Sequence, residues 1–160
     1  MRKIVVNSTP LIVLCGIGKL DILKDIYQEI SIPMAVFREV TTKDDSACIQ
    51  LKTSGEWIHV EEIKDRSEKK MYKAKLHDGE VEVMILAQEQ NADLVILDDN
   101  AAKKTAKYLG LPVTGTLGVL IKAKRMGIIE SIKPLITEMR KNGFYVSDNV
   151  ELMVLEQADE

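Results

Sequence analysis

At 160 residues with 46% hydrophobic content, the chain is long enough to bury one sizeable core and too short for two, so a single domain over residues 1–160 is expected. No apolar run reaches the length that spans a bilayer, and Met1-Arg2-Lys3-Ile4-Val5-Val6 enters strand-like sequence with no signal-peptide pattern, which predicts a cytoplasmic protein with no membrane partner. The formal charge of −3 hides an asymmetry: residues 100 to 141 hold nine Lys or Arg against two Glu, a balance of +7, which leaves −10 on the remainder.

A basic face beside an acidic remainder suits an enzyme that must draw phosphates toward carboxylates, and equally a solvated helix surface. Its candidates for nucleic-acid contact are Lys103, Lys104, Lys107, Lys122, Lys124 and Arg125. Cys15 and Cys48 lack the paired spacing of a zinc site and read as reduced structural thiols.

Short apolar runs alternate with stretches of helical period, which predicts an α/β protein with helices on both faces of a mainly parallel sheet. Ile4-Val5-Val6 reads as a buried strand; a helix opens after Asn7, with Thr9 as cap and Pro10 in the first helical position. Gly16 and Gly18 divide the following pattern into two short helices. Ile30-Ser31-Ile32 forms a strand, and Pro33 starts a helix that carries Glu39. Thr41 to Ser54 is weakly apolar, Trp57 to Val60 is strand-like, and Lys64 to Lys75 is charged and partly helical.

Asp78-Gly79-Glu80 begins a long helix to about Gln90, placing acidic residues where the helix dipole favours them. Leu94 to Leu97 is the clearest buried strand and ends in Asp98-Asp99-Asn100 before another helix. Leu111-Pro112-Val113 reads as a strand, and Thr114-Gly115-Thr116-Leu117-Gly118 leads into a helix from Val119 to Met126. A helix over Pro134 to Lys141, a turn at Asn142-Gly143, a strand at Phe144-Tyr145-Val146 and a last helix capped by Ser147 or Asp148 complete the pattern.

In open parallel sheets, functional groups collect beyond the carboxyl ends of the strands. That edge gathers Asn7, Asp98, Asp99 and Thr114, and Glu39, Asp78 and Glu80 lie on helices that enter the same crevice. Crowded carboxylates either raise one another's pKa or recruit a cation, and an all-oxygen set favours Mg²⁺ or Mn²⁺. Phosphodiester hydrolysis is the reaction class this chemistry suits. His59 and His77 have no ligand-spaced companion, and Gly16-Ile17-Gly18 is followed by Asp21 where a dinucleotide fingerprint needs glycine.

Over nearly its whole length the chain resembles the PIN-domain superfamily, in particular a PIN-like subgroup often found as toxin-type ribonucleases. The motifs that carry the resemblance are Val5-Val6-Asn7-Ser8-Thr9-Pro10-Leu11-Ile12 with Ile17-Gly18-Lys19-Leu20-Asp21, then Pro33 to Val40, Asp78-Gly79-Glu80-Val81-Glu82, and Leu94 to Asp99 with Thr114-Gly115-Thr116-Leu117-Gly118. The resemblance implies a three-layer α/β/α fold and an Mg²⁺- or Mn²⁺-dependent endoribonuclease. It implies Glu39, Glu80 and Asp98 or Asp99 as acidic residues, Asp78 as an accessory ligand, and Thr114 or Thr116 as the pocket hydroxyl. RNA, an antitoxin protein and a homodimer are the partners it suggests. Asn7 stands where the superfamily usually has a metal-binding aspartate, and its neutral amide cannot supply charge against a divalent ion. A catalytically weak module that binds RNA or a protein is the alternative this departure raises.

Overall fold

The computed structural model describes residues 2–42, 50, 51, 55–65 and 76–160. Cys48 and most of the 41–54 and 64–75 stretches lie outside them. Five strands, β1 (Ile4–Val6), β2 (Ile30–Pro33), β3 (Ile58–Glu61), β4 (Leu94–Ile96) and β5 (Val113–Thr114), form one parallel sheet in the order β3-β2-β1-β4-β5. The central strands are the ones with uninterrupted apolar sequence: Val5, Val6, Val95 and Ile96 are wholly buried, as strands covered on both faces must be.

Eight α-helices are seen among the described residues: α1 (Ser8–Gly16), α2 (Asp21–Tyr27), α3 (Met34–Thr41), α4 (Asp78–Glu89), α5 (Asn100–Tyr108), α6 (Thr116–Arg125), α7 (Lys133–Lys141) and α8 (Asp148–Gln157). Helix α4 packs on β1, β2 and along α3, while α6 contacts α1, α2 and α8, giving the expected three-layer α/β/α arrangement. Val81 to Ala87 of α4 are all buried, so this helix has no solvent stripe through its middle. Cys15 is a buried free thiol. Among the described residues no helix is long and apolar enough to cross a membrane.

Several boundaries differ from the sequence expectation. The cap of α1 is Asn7, with Ser8, Thr9 and Pro10 all in the first turn. Pro10 is accommodated there because the first N–H groups of a helix have no intrahelical partner to lose. Trp57 lies in a 3-10 turn (Gly55–Trp57) ahead of β3. Strand β5 begins at Val113 because Pro112 has no N–H, although its carbonyl still accepts from the Val95 N–H at 2.8 Å. Helix α6 starts at Thr116, three residues early, and Ser147 is the cap of α8, accepting from the Val150 N–H at 3.2 Å.

The strand expected at Phe144 to Val146 does not form. The Arg140 guanidinium claims that segment instead, donating from Nε (3.1 Å) and Nη2 (2.7 Å) to the Val146 carbonyl and pairing through Nη1 with Glu151 at 2.6 Å. One side chain thus ties α7, the connection and α8 together. Arg140→Ala is expected to cost about 1–3 kcal/mol, as for hydrogen bonds to a charged group; urea unfolding at matched slopes measures it, and an unchanged midpoint would deny the tie.

Candidate metal and phosphate site

The chain runs β1-β2-β3 to one side and β4-β5 to the other, so the strand order reverses between β1 and β4. That switch point leaves a crevice at the carboxyl ends of the two strands, because the helices that follow them diverge. Val6 pairs with Ile96, and the Asn7 N–H donates to the Ile96 carbonyl at 2.9 Å, so Asn7 sits beside the start of Leu97-Asp98-Asp99. Asn7 is only 5% exposed, and its side-chain amide makes no hydrogen bond among the described residues. Among the described residues the buried side-chain polar atom without a partner is Gln90 Oε1, so the Asn7 amide, which makes no cap hydrogen bond, keeps contact with solvent.

The two aspartates that sequence alone left equivalent separate clearly. Asp98 is held by one residue: Oδ1 accepts from the Thr116 N–H (2.8 Å) and Oδ2 from the Thr116 hydroxyl (2.7 Å). Both of its oxygens thereby serve the junction between β4 and the start of α6, and the hydroxyl of the fully buried Thr116 is engaged. Asp99 caps α5 through Oδ1, which accepts from the Ala102 N–H at 2.9 Å, and its Oδ2 has no partner among the described residues. Thr114 lies under Gly118, where any Cβ would collide with its hydroxyl.

Glu39 arrives from α3 and accepts the Ser8 hydroxyl at 2.9 Å through Oε2. Glu80 arrives from the first turn of α4, is 6% exposed, and accepts the His77 N–H at 3.1 Å through Oε1. Burial pushes the Glu80 carboxyl above its usual range; the His77 N–H opposes this, and the negative charges of Asp99 and Glu39 add to it. Glu80 is therefore the residue that feels both neighbours. Asp78 is exposed and, with Ala35, Arg38, Glu39, His77 and Gly79, lines a cleft of about 420 Å³ that takes in Glu39 but not Asn7, Glu80, Asp98 or Asp99.

Up to five carboxylates were expected around one amide; the structure brings Asp99 and Glu39 each within electrostatic reach of Glu80, fastens Asp98 to Thr116 and leaves Asp78 in the exposed cleft beside Glu39. Among the described residues no three Asp, Glu, His or Cys side chains stand close enough to hold a metal ion as they are. The donor set nonetheless fits a hard divalent cation in kind: oxygens only, with one unclaimed oxygen on each of Glu39, Glu80 and Asp99, and the amide oxygen of Asn7.

Sequence reasoning missed four supporting residues. Ser8 orients Glu39. Gly79 lets α4 approach it, since a Cβ there would lie 2.8 Å from Glu39 Oε2. Glu82, 4% exposed, accepts the Ala35 N–H at 3.0 Å and so fixes the first turn of the helix that carries Glu39. Its signal was visible, a carboxylate inside an otherwise apolar helix run. Arg38 places a guanidinium on the cleft wall.

The expected phosphate-binding cations divide. Lys103 reaches the crevice: its Nζ and Asp98 Oδ1 lie 2.9 and 2.8 Å from where a Cβ on Gly115 would be. Lys104 and Lys107 are exposed on α5. Lys122 sits over the Tyr27 ring at 5.1 Å, Lys124 pairs with Glu160 at 3.2 Å, and Arg125 donates to the Gln157 carbonyl at 3.1 Å. These last three hold α2 and the C-terminal segment to α6.

No curated protein matches the chain. A PIN-domain family model does, over residues 3–160, which takes in every strand of the sheet and every residue of the crevice. With its parallel sheet reversing at an acid-lined switch point, the chain belongs to the PIN-domain family.

Proposed function

We propose that the chain is a metal-dependent endoribonuclease that works in the cytoplasm, with Glu39, Glu80 and Asp99 as its acidic residues, Asn7 as a neutral ligand, and Mg²⁺ or Mn²⁺ as the cofactor. The observation that carries this reading is Glu80, a buried carboxyl whose ionised form is disfavoured by burial and by Asp99 and Glu39 together. A cation would offset that penalty, which His77 counters only in part.

Glu39, Glu80, Asp99 and Asn7 would hold the divalent ion, which would supply polarisation of the phosphodiester and a more acidic attacking water. The chain's own residues divide the remaining work. The Ser8 hydroxyl holds one oxygen of Glu39 and the His77 N–H one oxygen of Glu80, which leaves the other oxygen of each without a partner among the described residues. Asp98 and Thr116 keep the β4 and α6 ends in register, and Lys103 and Arg38 offset negative charge where phosphate enters. An antitoxin protein that covers the acidic crevice, and a homodimer, belong to the same reading.

A second reading, a weakly catalytic or inactive module that binds RNA or a protein, draws on Asn7 and on the absence of three converging carboxylates among the described residues. Calorimetric Mn²⁺ titration followed by single-stranded RNA cleavage decides between them. The nuclease reading expects metal binding and cleavage in the wild type, with both lost in Glu80→Gln/Asp99→Asn. Metal binding without cleavage, or neither, would leave the binding module.

A further inference from the structure

The nine cations of residues 100–141 are not alike. The side chains of Lys122, Lys124, Arg125, Arg140 and Lys141 each have a partner, respectively the Tyr27 ring, Glu160, the Gln157 carbonyl, Glu151 and Glu138, while Lys133 at the start of α7 has no side-chain partner among the described residues and only its backbone N–H reaches Glu160. The ammonium groups of Lys103, Lys104 and Lys107 have no carboxylate partner among the described residues, and α5 itself contains no acidic residue. A phosphate meeting these three lysines displaces nothing but water and counterions.

Helix α5 also begins at the site, because its cap is Asp99. At about 100° per residue, Asn100, Lys104, Lys107 and Tyr108 fall in one sector, with Lys103 on its flank turned toward Gly115. Tyr108 is 90% exposed, so its ring contributes almost nothing to the core. An exposed ring among unpaired lysines, about 14 Å along the helix from Asp99, has the composition of a surface that carries a nucleic-acid strand and stacks one of its bases.

We propose that the outer face of α5, from Lys103 to Tyr108, is the track along which single-stranded RNA approaches the crevice. Lys104 and Lys107 hold its phosphates, Lys103 receives the phosphate nearest the carboxylates, and Tyr108 stacks on an unpaired base. A duplex keeps its bases stacked internally and offers Tyr108 no free base face, so single strands are preferred. The inference rests on the nuclease reading for the identity of the ligand, but binding and cleavage separate the two.

The test is fluorescence anisotropy with a short labelled single-stranded RNA in EDTA, where cleavage does not interfere, and with a duplex of equal length. Tyr108→Ala should weaken single-strand binding about tenfold. Lys104→Ala/Lys107→Ala should weaken it and flatten the plot of log Kd against log salt by about 1.4, the share of two phosphate contacts. Tyr145→Ala and Lys141→Ala, exposed elsewhere, should change neither. The proposal is overturned if the wild type does not bind the single strand, if the duplex binds as tightly, or if the control variants lose as much as the α5 variants. Cleavage by a wild type whose α5 variants bind normally would leave the nuclease standing without the track; track-dependent binding without cleavage would leave the track alone.

Discussion

Glu80→Gln is expected to melt higher than the wild type at pH 7 in EDTA, and to lose at least about a hundredfold in Mn²⁺-dependent RNA cleavage. The two effects share one origin. The folded protein raises the Glu80 pKa above its ordinary 4.5, first through burial and then through Asp99 and Glu39. Between 4.5 and the raised value the folded chain binds more protons than the unfolded one, so stability falls as pH rises through that window. Above the window the penalty is complete; below 4.5 both states are protonated and it vanishes. Gln keeps an oxygen for the His77 N–H and carries no charge, so its advantage should be full at pH 7 and absent at acid pH. Mn²⁺ at a hundred times its Kd should stabilise the wild type by about 2.7 kcal/mol and the variant far less. Thermal melts at both pH values, with and without the ion, give the comparison; a variant that melts lower at pH 7 would mean Glu80 is held by favourable contacts and not waiting for a cation.

Asn7→Asp is expected to raise Mn²⁺ affinity about ten- to a hundredfold and to lower stability in EDTA. The substitution exchanges an amide nitrogen for oxygen at the same number of heavy atoms and places a charge on a residue 5% exposed at the end of β1, next in sequence to Ser8, which holds Glu39. Without metal, a further buried anion is unfavourable; with metal, it supplies the charge that an amide lacks. Calorimetry in Mn²⁺ and melts in EDTA read the two signs separately. Unchanged affinity would remove Asn7 from the ligand set, whatever happens to stability. Cleavage appearing in the variant and absent from the wild type would identify the natural chain as the binding module.

The order and kind of the elements were legible because they follow from local chemistry. Apolar triplets such as Ile4-Val5-Val6 and Leu94-Val95-Ile96 have no alternative to a sheet interior, and glycine and proline punctuate the chain where helices begin and end. The carboxyl-end crevice was legible for the same reason, since a strand's last residue precedes its helix whatever the rest of the fold does. The Phe144 to Val146 segment has strand composition, but composition cannot register that Arg140, on the preceding helix, would take the Val146 carbonyl.

Distances between residues far apart in sequence were beyond local chemistry altogether. Asp98 and Asp99 are neighbours with the same side chain, and what separates them is Thr116, 18 residues on, which occupies both oxygens of one and neither of the other. Likewise the basic run from 100 to 141 looks uniform until Tyr27, Glu160 and Gln157 engage its α6 cations and leave those of α5 unpaired. By itself, then, the sequence determined the parallel sheet and which side chains follow its strands, because these depend on residue type and order along the chain. Tertiary structure decided which carboxylates meet and which cations stay available, because both depend on partners that only the folded chain brings within a few ångströms.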